Sequence, residues 1–419
     1  MGGETGTGGA AERAGSKTIV IKLGTSSILS ETTLQPKIKI MSSFVETVSL
    51  LRQRGHRVIL VCSGAIGVGR VRMGHSEQPR DLGERQALAA LGQLRLMTLW
   101  DNLFGVLGVN VAQVLLTRAD LADSPRYHNA RTTLDTLLSP KFNAVPIVNE
   151  NDTVSVYEMR FGDNDSLSAI TAGIVDADYL FLCTDVDGLY TENPRTNPSA
   201  RLLRVVHAVD EARQAASVKT MGSNFGTGGM QTKLVAAELA TAAGVATVIL
   251  NGERPESIAQ VIAHGAVLQD THAHIAALQD TPARLPNHTL FLPSPQRLPA
   301  RKWRILHAMH PTGSLVIDEG AYERISQKES GGRLLPAGVV GVEGNWERLQ
   351  AVRLLVRRRR AEDGRVEHVE VGRALANYAS IECERIKGMQ SAQITEILGG
   401  AESPYVTDQV ALAPLAAIK

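Results

Sequence analysis

The chain has little cysteine, few aromatic residues and almost no net charge. Its three cysteines provide no disulfide framework, and so sparse a set favours a reducing compartment. The formal net charge of +1 provides no general attraction for nucleic acid or for a membrane surface. No apolar run is long enough to span a bilayer. These absences argue against a secreted disulfide scaffold and a membrane-spanning protein, and they predict a soluble, cytoplasmic one.

The length and the first residues bound the domain organisation. A chain of 419 residues exceeds one ordinary hydrophobic core, so two domains are expected. Residues 1–16 are rich in glycine, contain acids and lack an apolar segment, which fits neither a signal peptide nor a transit peptide. We expect them to be a disordered lead-in.

From Thr18 to about Gly265, short β-branched runs alternate with longer helical runs. Such alternation is typical of βαβ units, and near-continuous apolar strands indicate a sheet that is covered on both faces. The pattern therefore predicts an α/β fold over residues 17–269, with a mainly parallel sheet sandwiched by helices.

The alternation stops after Gly265. Residues 270–300 are rich in proline and histidine and show no period, so we interpret them as an extended linker with one short strand near 288–292. His272 and His274 could bind a metal, but a solvated loop is the simpler interpretation because no second ligand pair accompanies them.

Residues 301–419 have a different character. Short strand-like pieces alternate with glycine-rich turns, among which we include the stretch at 334–345, and a helix closes the region. The sequence AEDG at 361–364 predicts the turn of a hairpin. We expect this region to form a small, mostly-β domain.

The candidate site lies where the predicted strands end, because ligands of open α/β sheets bind at the carboxyl ends of the strands. The side chains that these ends present are Lys22, Ser63, Thr117, Arg118, Asn149 to Asp152, Asp185 and Asp187. Glycine-rich loops also precede helices at 24, 64–69 and 226–229. A turn explains one such loop, but three at one edge suit a polyphosphate, since backbone N–H groups can face the anion. None of them matches the P-loop or the dinucleotide fingerprint.

Two lysines occupy positions that are costly for a cation. Lys22 lies within an apolar strand, where it loses hydration unless it pairs with an anion. Lys233 lies in the first turn of a predicted helix, where the helix dipole disfavours a positive charge, although a solvated helix face is an alternative for it. Both positions are reasonable if a phosphoryl group lies between the two ammonium groups. With the glycine loops, they indicate phosphoryl transfer, in which a protein mainly positions reactants and neutralises charge.

The sequence offers no side chain pair that resembles a general base or a reactive thiol. A carboxylate acceptor needs no base, because a pKa of about 4.3 leaves it ionised at neutral pH. Cys62 and Cys183 lie in apolar strands without a reactive-cysteine signature, so we interpret them as small buried residues.

Six segments occur in a fixed order along the chain. They are KLGTSSIL, VCSGAIGVGR, VPIVNENDTV, FGDNDSLSA, LCTDVDGLY and GTGGMQTKL. Together they resemble the amino-acid kinase family, and within it the glutamate 5-kinases. The C-terminal region resembles the PUA domain that many of these kinases carry, although its segment VRRRRAEDGRVEHVEVG is longer and more basic than the family pattern.

The resemblance implies roles for individual residues. Lys22 and Lys233 would contact the ATP phosphates and the transferring group, and Asp165 would orient both lysines as a catalytic residue. A plain helix N-cap is the other role that Asp165 could have. The residues implied for glutamate are Ser63, Asp152 and Asn164. The residues implied for ATP are Lys22, Thr184, Asp185, Thr227, Gly228, Gly229, Met230, Gln231, Thr232 and Lys233. Acids and amides would accept from the glutamate α-ammonium, and amide donors would meet its α-carboxylate.

The resemblance also implies the ligands. ATP and Mg²⁺ would be the cofactors, although the metal follows from the chemistry of ATP and not from a ligand motif. The product would be L-glutamyl 5-phosphate, the first intermediate towards proline. Members of the family are commonly inhibited by proline at a site that overlaps the glutamate pocket, for which the loop 153–162 is the natural place. They are usually homo-oligomers.

One alternative keeps the fold and changes the acceptor to aspartate, acetylglutamate or a nucleotide. A phosphate-bearing acceptor favours arginines near the acceptor loop, and the sequence offers only Arg70 there. The GTSS pattern of the first loop also favours glutamate.

A second alternative is an RNA-binding protein that acts through the basic run Arg357–Arg360 beside Arg353. In a strand, successive side chains alternate between two faces, so this run does not guarantee a single patch. Acids follow the run directly, and the net charge near zero also weighs against RNA as the main partner.

Overall fold

The computed structural model describes residues 15–30, 32–75, 77–155, 164–215, 229–267, 285–295, 297–327, 332–359, 366–400 and 403–412. These residues form two compact units. The first comprises the described residues up to Thr117 together with those from His128 to Arg297. The second comprises Arg118–Tyr127 together with the described residues from Leu298 onward. The predicted lead-in, 1–16, lies almost entirely outside the described residues.

Within the described residues, the first unit is built on an eight-stranded sheet. Its strands are β1 (Thr18–Leu23), β2 (Arg57–Cys62), β3 (Val111–Leu116), β4 (Val145–Glu150), β5 (Tyr179–Thr184), β6 (Val205–Val206), β7 (Ala246–Asn251) and β8 (His288–Phe291). Their order in space is β3-β4-β2-β1-β5-β7-β8-β6. The first six strands in this spatial order run parallel to one another. The strand β8 is antiparallel to β7 and parallel to β6. The predicted mainly parallel sheet is confirmed.

Helices follow most of these strands, although the short helix after β3 belongs to the second unit. They are α1 (Thr25–Ile28), α2 (Ile38–Gln53), α3 (Ala65–Met73), α4 (Leu82–Gly105), α5 (Arg118–Ala122), α6 (Ser124–Leu137), α7 (Asn164–Ile174), α8 (Val209–Ala215), α9 (Met230–Ala242) and α10 (Glu256–Val267). Local sequence sets several ends: Asp81 caps α4 by accepting from the backbone N–H of Glu84 at 2.8 Å, and Gly74 ends α3 with a φ of 67°. In the described part of the chain, no helix is both long enough and apolar enough to cross a membrane.

The strands are apolar because helices cover them. Every residue of β1 and of β4 is buried. The largest side chains of this core are Phe44, Trp100, Phe104 and Phe181. Burying one such side chain stabilises the fold by roughly 1.5–3 kcal/mol, so this core positions the strand ends firmly.

Strand β1 lies at the topological switch point of the sheet. Its neighbours are β2 on one side and β5 on the other, so the chain leaves β1 in one direction and later returns to its opposite edge. Loops diverge above such a point and leave a crevice at the carboxyl ends of the strands. The candidate residues at the ends of β1, β2, β4 and β5 therefore border one crevice.

Helices α3 and α4 approach each other closely at two glycines. A Cβ atom at Gly92 would overlap the carbonyl oxygen of Ala65, and one at Gly69 would overlap that of Leu88. Glycine is the residue type that permits this approach. The contact holds the middle of α4, including Gln93, against the first turn of α3.

The second unit contains a five-stranded sheet of order β10-β9-β11-β12-β13 among its described residues. Its strands are β9 (Gly313–Ile317), β10 (Val339–Gly344), β11 (Ala351–Arg359), β12 (Val366–Leu375) and β13 (Gln409–Leu412). Its other elements are the helices α11 (Ala300–Trp303), α12 (Glu319–Ser326), α13 (Ser380–Ile386) and α14 (Ile394–Leu398), with a π turn at Arg304–Ala308 and 3₁₀ turns at Pro336–Gly338 and Ser391–Gln393. Trp346 and Tyr378 are buried in its core, and the indole N–H of Trp346 donates to the Tyr378 carbonyl at 3.1 Å.

One expectation for the second unit is wrong in part. The glycine-rich stretch at 334–345, which we expected as a turn, forms β10 in its second half. Val339 is buried in the core, and a Cβ at Gly341 would lie 3.2 Å from that of Val316, so the strand packs closely on β9. The predicted hairpin is supported, since β11 and β12 pair antiparallel. Its turn, 360–365, lies outside the described residues.

The segment 270–300, which the sequence presents as a linker, is described from 285 to 295 and from 297 onward. Residues 288–291 form β8, close to the predicted short strand. All four are buried and pair with β7, so this part belongs to the sheet of the first unit and is not an extended connection. His272 and His274 lie outside the described residues.

Candidate active site

Asp165 lies at the centre of a buried cluster of charges. Its side chain is fully buried, with Oδ1 at 2.5 Å from Lys22 Nζ and Oδ2 at 3.3 Å from Lys233 Nζ. The hydroxyl of Thr232 donates to Oδ2 at 2.7 Å. Only 5% and 6% of the two lysine side chains is exposed. We call Lys22, Asp165 and Lys233 the lysine–aspartate centre.

Three elements bring this centre together at the crevice. Lys22 lies near the carboxyl end of β1, and Lys233 lies in the first turn of α9. Asp165 lies in the first turn of α7, which begins at Asn164. Asp165 is therefore inside the helix and not at its N-cap, at a position where the helix dipole favours a carboxylate.

The charge of Asp165 is set by its neighbours. Burial by itself would raise the pKa of Asp165, but the charges of Lys22 and Lys233 and the hydrogen bond from Thr232 outweigh it. The pKa of this carboxyl is held well below its usual range. The centre then carries two positive charges and one negative charge in a desolvated place. Two ammonium groups held close together at the crevice suit an anionic ligand such as a phosphate.

A cluster of neutral side chains lies beside the lysine–aspartate centre. Asn164 Nδ2 donates to Ser63 Oγ at 2.8 Å and to Asn149 Oδ1 at 2.9 Å. Asn149 Nδ2 donates in turn to Gln93 Oε1 at 2.9 Å. We call Ser63, Gln93, Asn149 and Asn164 the amide cluster. Within the described residues, the buried Oδ1 of Asn164 accepts no hydrogen bond, so the cluster presents an unfilled acceptor.

The end of β5 presents a hydroxyl and a carboxylate. The Thr184 hydroxyl donates to Asp185 Oδ1 at 3.1 Å. Arg195, in the loop that follows, donates from Nη2 to Asp185 Oδ2 at 2.6 Å. Both carboxylate oxygens of Asp185 thus have partners, and 30% of its side chain remains exposed.

The start of α9 completes the predicted nucleotide segment. Gly229 is the N-cap of this helix and has an extended backbone, so the first backbone N–H groups of α9 lack helical acceptors and can face an anion. Met230 is buried and Gln231 is exposed. Thr227 and Gly228 lie outside the described residues.

Two other acids follow the strand ends, Asp187 after β5 and Asp152 after β4. Asp187 accepts from Asn251 Nδ2 at 3.1 Å and from the guanidinium of Arg254. Burial would raise its pKa, but these hydrogen bonds outweigh burial and lower it. Asp152 is half-buried in the turn that follows β4.

The cysteines are not part of the chemistry. Burial raises the pKa of Cys62 and of Cys183 to about 12. The sulfur of Cys62 accepts from the indole N–H of Trp100 at 3.2 Å. A thiol with so high a pKa is inert at neutral pH, and the interpretation of both as small buried residues is confirmed.

Residues 17–251 match the amino acid kinase family. The chain belongs to the amino acid kinase family. Residues 313–398 match the PUA domain, so this amino acid kinase carries a PUA domain in its C-terminal region. The predicted kinase fold and the mostly-β PUA domain are thereby confirmed.

The relatives of this amino acid kinase match it over most of its length. A probable glutamate 5-kinase of Schizosaccharomyces pombe is 48% identical over 390 residues, which cover 93% of this chain and 91% of that protein. A glutamate 5-kinase of Cyanothece sp. is 44% identical over 398 residues, 94% of this chain and 99% of that protein. An uncharacterized protein of Saccharomyces cerevisiae is 42% identical over 414 residues, 93% of this chain and 96% of that protein.

Sequence reasoning missed two residues of this amino acid kinase site. Gln93 lies in the middle of a long helix, 56 positions from the Asn149 that it contacts, and nothing in the local sequence distinguishes it from other surface glutamines. Arg195 follows Asp185 by ten positions in an irregular loop. The one signal in the sequence for Arg195 was that it lies in the loop directly after Asp185, the acid at a strand end.

Proposed function

We propose that this kinase transfers the γ-phosphoryl group of ATP to the γ-carboxylate of L-glutamate. The product would be L-glutamyl 5-phosphate, and the reaction would be the first step of proline biosynthesis. The observation that carries the proposal is the buried contact of Lys22 and Lys233 with Asp165, next to the amide cluster. Similarity to proteins named glutamate 5-kinase supports the choice of acceptor.

The lysine–aspartate centre would stabilise the transferring group. Negative charge is spread over the phosphoryl oxygens in the transition state, and ammonium groups fixed nearby stabilise it. Their effect is stronger in a desolvated place than in water. Asp165 would keep the two ammonium groups in position, so that they need not reorganise during the reaction.

The acceptor would need no general base. A γ-carboxylate is ionised at neutral pH and can attack the phosphorus directly, while the bond to the ADP oxygen breaks. Ser63, Asp152 and Asn164 would hold the amino-acid head of glutamate. This leaves the γ-carboxylate directed at the phosphoryl group.

The nucleotide would bind along β5 and α9. Thr184 and Asp185 would contact ATP from the end of β5, and residues 227–233 would contact its phosphates at the start of α9. Mg²⁺ would neutralise the phosphates together with the lysines. In the described part of the chain, no group of three or more His, Cys, Asp or Glu side chains could hold a metal. The ligands of Mg²⁺ would then be mainly oxygens of the ATP phosphates and of water, as is usual for Mg²⁺ in kinases.

An acceptor panel tests the proposal. Purified protein is incubated with ATP, Mg²⁺ and hydroxylamine, which traps an acyl phosphate as a hydroxamate. Glutamate, aspartate, acetylglutamate and UMP are compared as acceptors. We expect hydroxamate with glutamate alone, and its loss in Lys22→Met. Turnover of another acceptor would contradict the substrate, and no turnover of any acceptor would contradict the proposal as a whole.

We also propose that proline inhibits by competing with glutamate, since it shares the ammonium and carboxylate of the amino-acid head. The loop 153–162 would contribute, although most of it lies outside the described residues. Substitutions that confer resistance should then map to this loop or to the amide cluster, and their mapping to the second unit would contradict the idea. A homo-oligomer and a cytoplasmic location stay predictions of the family resemblance.

RNA binding is not favoured as a second function. Arg358 lies 5.7 Å from the ring centre of Tyr322 and 3.9 Å from Glu319, while its neighbour Arg357 pairs across the hairpin with His368. Successive residues of β11 face opposite sides of the sheet, so Arg357 and Arg358 lie on different faces.

A further inference from the structure

The backbone N–H of Glu150 sets the direction of the hydrogen bonds in the amide cluster. This N–H donates to Asn149 Oδ1 at 2.9 Å. A backbone N–H can only donate, so the oxygen of Asn149 must face it and the amino group of Asn149 must point away, towards Gln93. The same oxygen accepts from Asn164 Nδ2. The strand β4 therefore orients Asn149, and Asn149 orients Asn164.

The donors and acceptors that remain for a ligand follow from this order. Both N–H groups of Asn164 are used, one by Asn149 and one by Ser63. Asn164 therefore offers only its oxygen to a ligand. Ser63 Oγ accepts from Asn164, and no described residue accepts from Ser63 in return, so its hydroxyl hydrogen is left for a ligand. The cluster thus offers one acceptor and one donor side by side.

An acceptor next to a donor matches the ammonium and the carboxylate of a free amino acid. A ligand without the ammonium group would leave the buried Oδ1 of Asn164 without a donor, and such unpaired groups are strongly disfavoured. An N-acylated amino acid would present one N–H and a bulky group in place of the ammonium. The geometry selects for the free amine.

We propose that Gln93 is a positioning residue that makes the acceptor site selective for a free α-ammonium group. The proposal rests on the function proposed above. Gln93 Oε1 is the acceptor for the amino group of Asn149, which is only 2% exposed. Without that acceptor, the buried amino group would lack a partner, and Asn149 would turn away from Glu150 to regain one. Asn164 would then lose its fixed orientation and could present N–H or C=O to the ligand.

Three variants test this role. Gln93→Met keeps the length of the side chain and removes the acceptor. Gln93→Glu keeps an acceptor oxygen at the same place and should rescue the effect. Gln86→Met is the matched control, because Gln86 is a half-buried glutamine on the same face of α4 with no side-chain hydrogen bond to described residues.

The readout is the ratio of kcat/KM for glutamate to that for glutarate, which lacks only the ammonium group. We expect Gln93→Met to lower this ratio at least about tenfold, through the KM for glutamate, with the KM for ATP unchanged. Gln93→Glu and Gln86→Met should keep the ratio of the unmodified protein. If Gln93→Met lowered kcat/KM equally for glutamate and for glutarate, the ratio would not change and the proposal would be overturned. Equal losses are what a merely structural role of Gln93 predicts.

Acceptor turnover by the unmodified protein distinguishes a failure of this proposal from a failure of the proposed function. Turnover of aspartate in place of glutamate would contradict the function, while aspartate against succinate would then test Gln93 in the same way. An unmodified protein that does not distinguish glutamate from glutarate would overturn the selectivity even if glutamate is the substrate. Turnover of UMP alone would overturn both.

Discussion

Asn164 and Asp165 are neighbours at the start of α7, yet they belong to environments of opposite chemistry. Asn164 donates hydrogen bonds to two neutral side chains, Ser63 and Asn149, after β2 and in β4, whereas Asp165 contacts two ammonium groups from β1 and α9. A single step along the helix thus separates an amide half of the site from a charged half.

The difference shows how the two halves can work independently. Charges act over several ångströms and are strengthened by burial, so the charged half can stabilise a developing phosphoryl charge. Neutral amides act only at contact and distinguish donors from acceptors. In the proposed reaction, the charged half accordingly governs the rate and the amide half governs the choice of acceptor.

The largest expected effect comes from removing one charge of the charged half. Lys22→Met should lower kcat at least about 100-fold, because one of two groups that stabilise the transferring phosphoryl is lost. Steady-state hydroxamate formation measures it. Lys17→Met is the control: this lysine also pairs with an aspartate, Asp178, at 3.2 Å, but 37% of its side chain is exposed. Equal losses in both variants would contradict a specific role for Lys22.

Asp165→Asn should lower the free energy of unfolding more than a substitution in the amide half does. It preserves shape and removes the buried carboxylate that contacts two buried ammonium groups, so we expect a loss of about 3–5 kcal/mol in the free energy of unfolding. Asn164→Ala, one residue earlier, removes hydrogen bonds between neutral groups and should cost only about 1–3 kcal/mol. Urea unfolding measures both. An Asp165→Asn loss no larger than that of Asn164→Ala would contradict the contrast.

The pH dependence of stability sharpens the same comparison. The pKa of Asp165 is depressed in the folded protein, so its contribution is present above the unfolded pKa of about 3.9 and is lost as the pH falls through the lower folded value. Between about pH 4 and pH 2, the unmodified protein should lose unfolding free energy more steeply than Asp165→Asn. Urea midpoints at several pH values test this, and parallel slopes would contradict it.

The smallest effect is expected at the exposed pair of Asp185 and Arg195. Like the lysine–aspartate centre, this pair joins a cation to a carboxylate, but 60% of the Arg195 side chain is exposed. Solvent screens such pairs to about 0–1 kcal/mol, so Arg195→Gln should raise the KM for ATP less than about fivefold. The KM for glutamate should not change. A loss as large as that of Lys22→Met would show that burial is not what distinguishes the two pairs.

Much of the charged half could be predicted from the sequence, because its residues violate local rules. A lysine in an apolar strand and a lysine at a helix start are both costly unless an anion compensates them. The alternation of strands and helices placed both at one edge of the sheet. Which acid would lie between them was not readable from local pattern, since Asp165 is 68 positions from Lys233.

The amide half was less predictable. Gln93 violates no local rule in α4, and its contact with Asn149 depends on the close approach of α4 and α3 at Gly92. That approach is a tertiary feature. The place of β8 in the sheet, between β7 and β6, was similarly hard to predict, because a four-residue strand has little periodicity of its own.

The division of the site into a charged half and an amide half is tested most directly with Lys233→Met. The experiment measures both glutamate binding and phosphoryl transfer in this variant. Calorimetry gives the affinity for glutamate, and rapid-quench single turnover gives the rate of phosphoryl transfer. We predict an affinity within about threefold of the unmodified protein and a transfer rate at least about 100-fold lower. A large loss of glutamate affinity with an unchanged transfer rate would contradict the assignment of the lysine–aspartate centre to phosphoryl transfer.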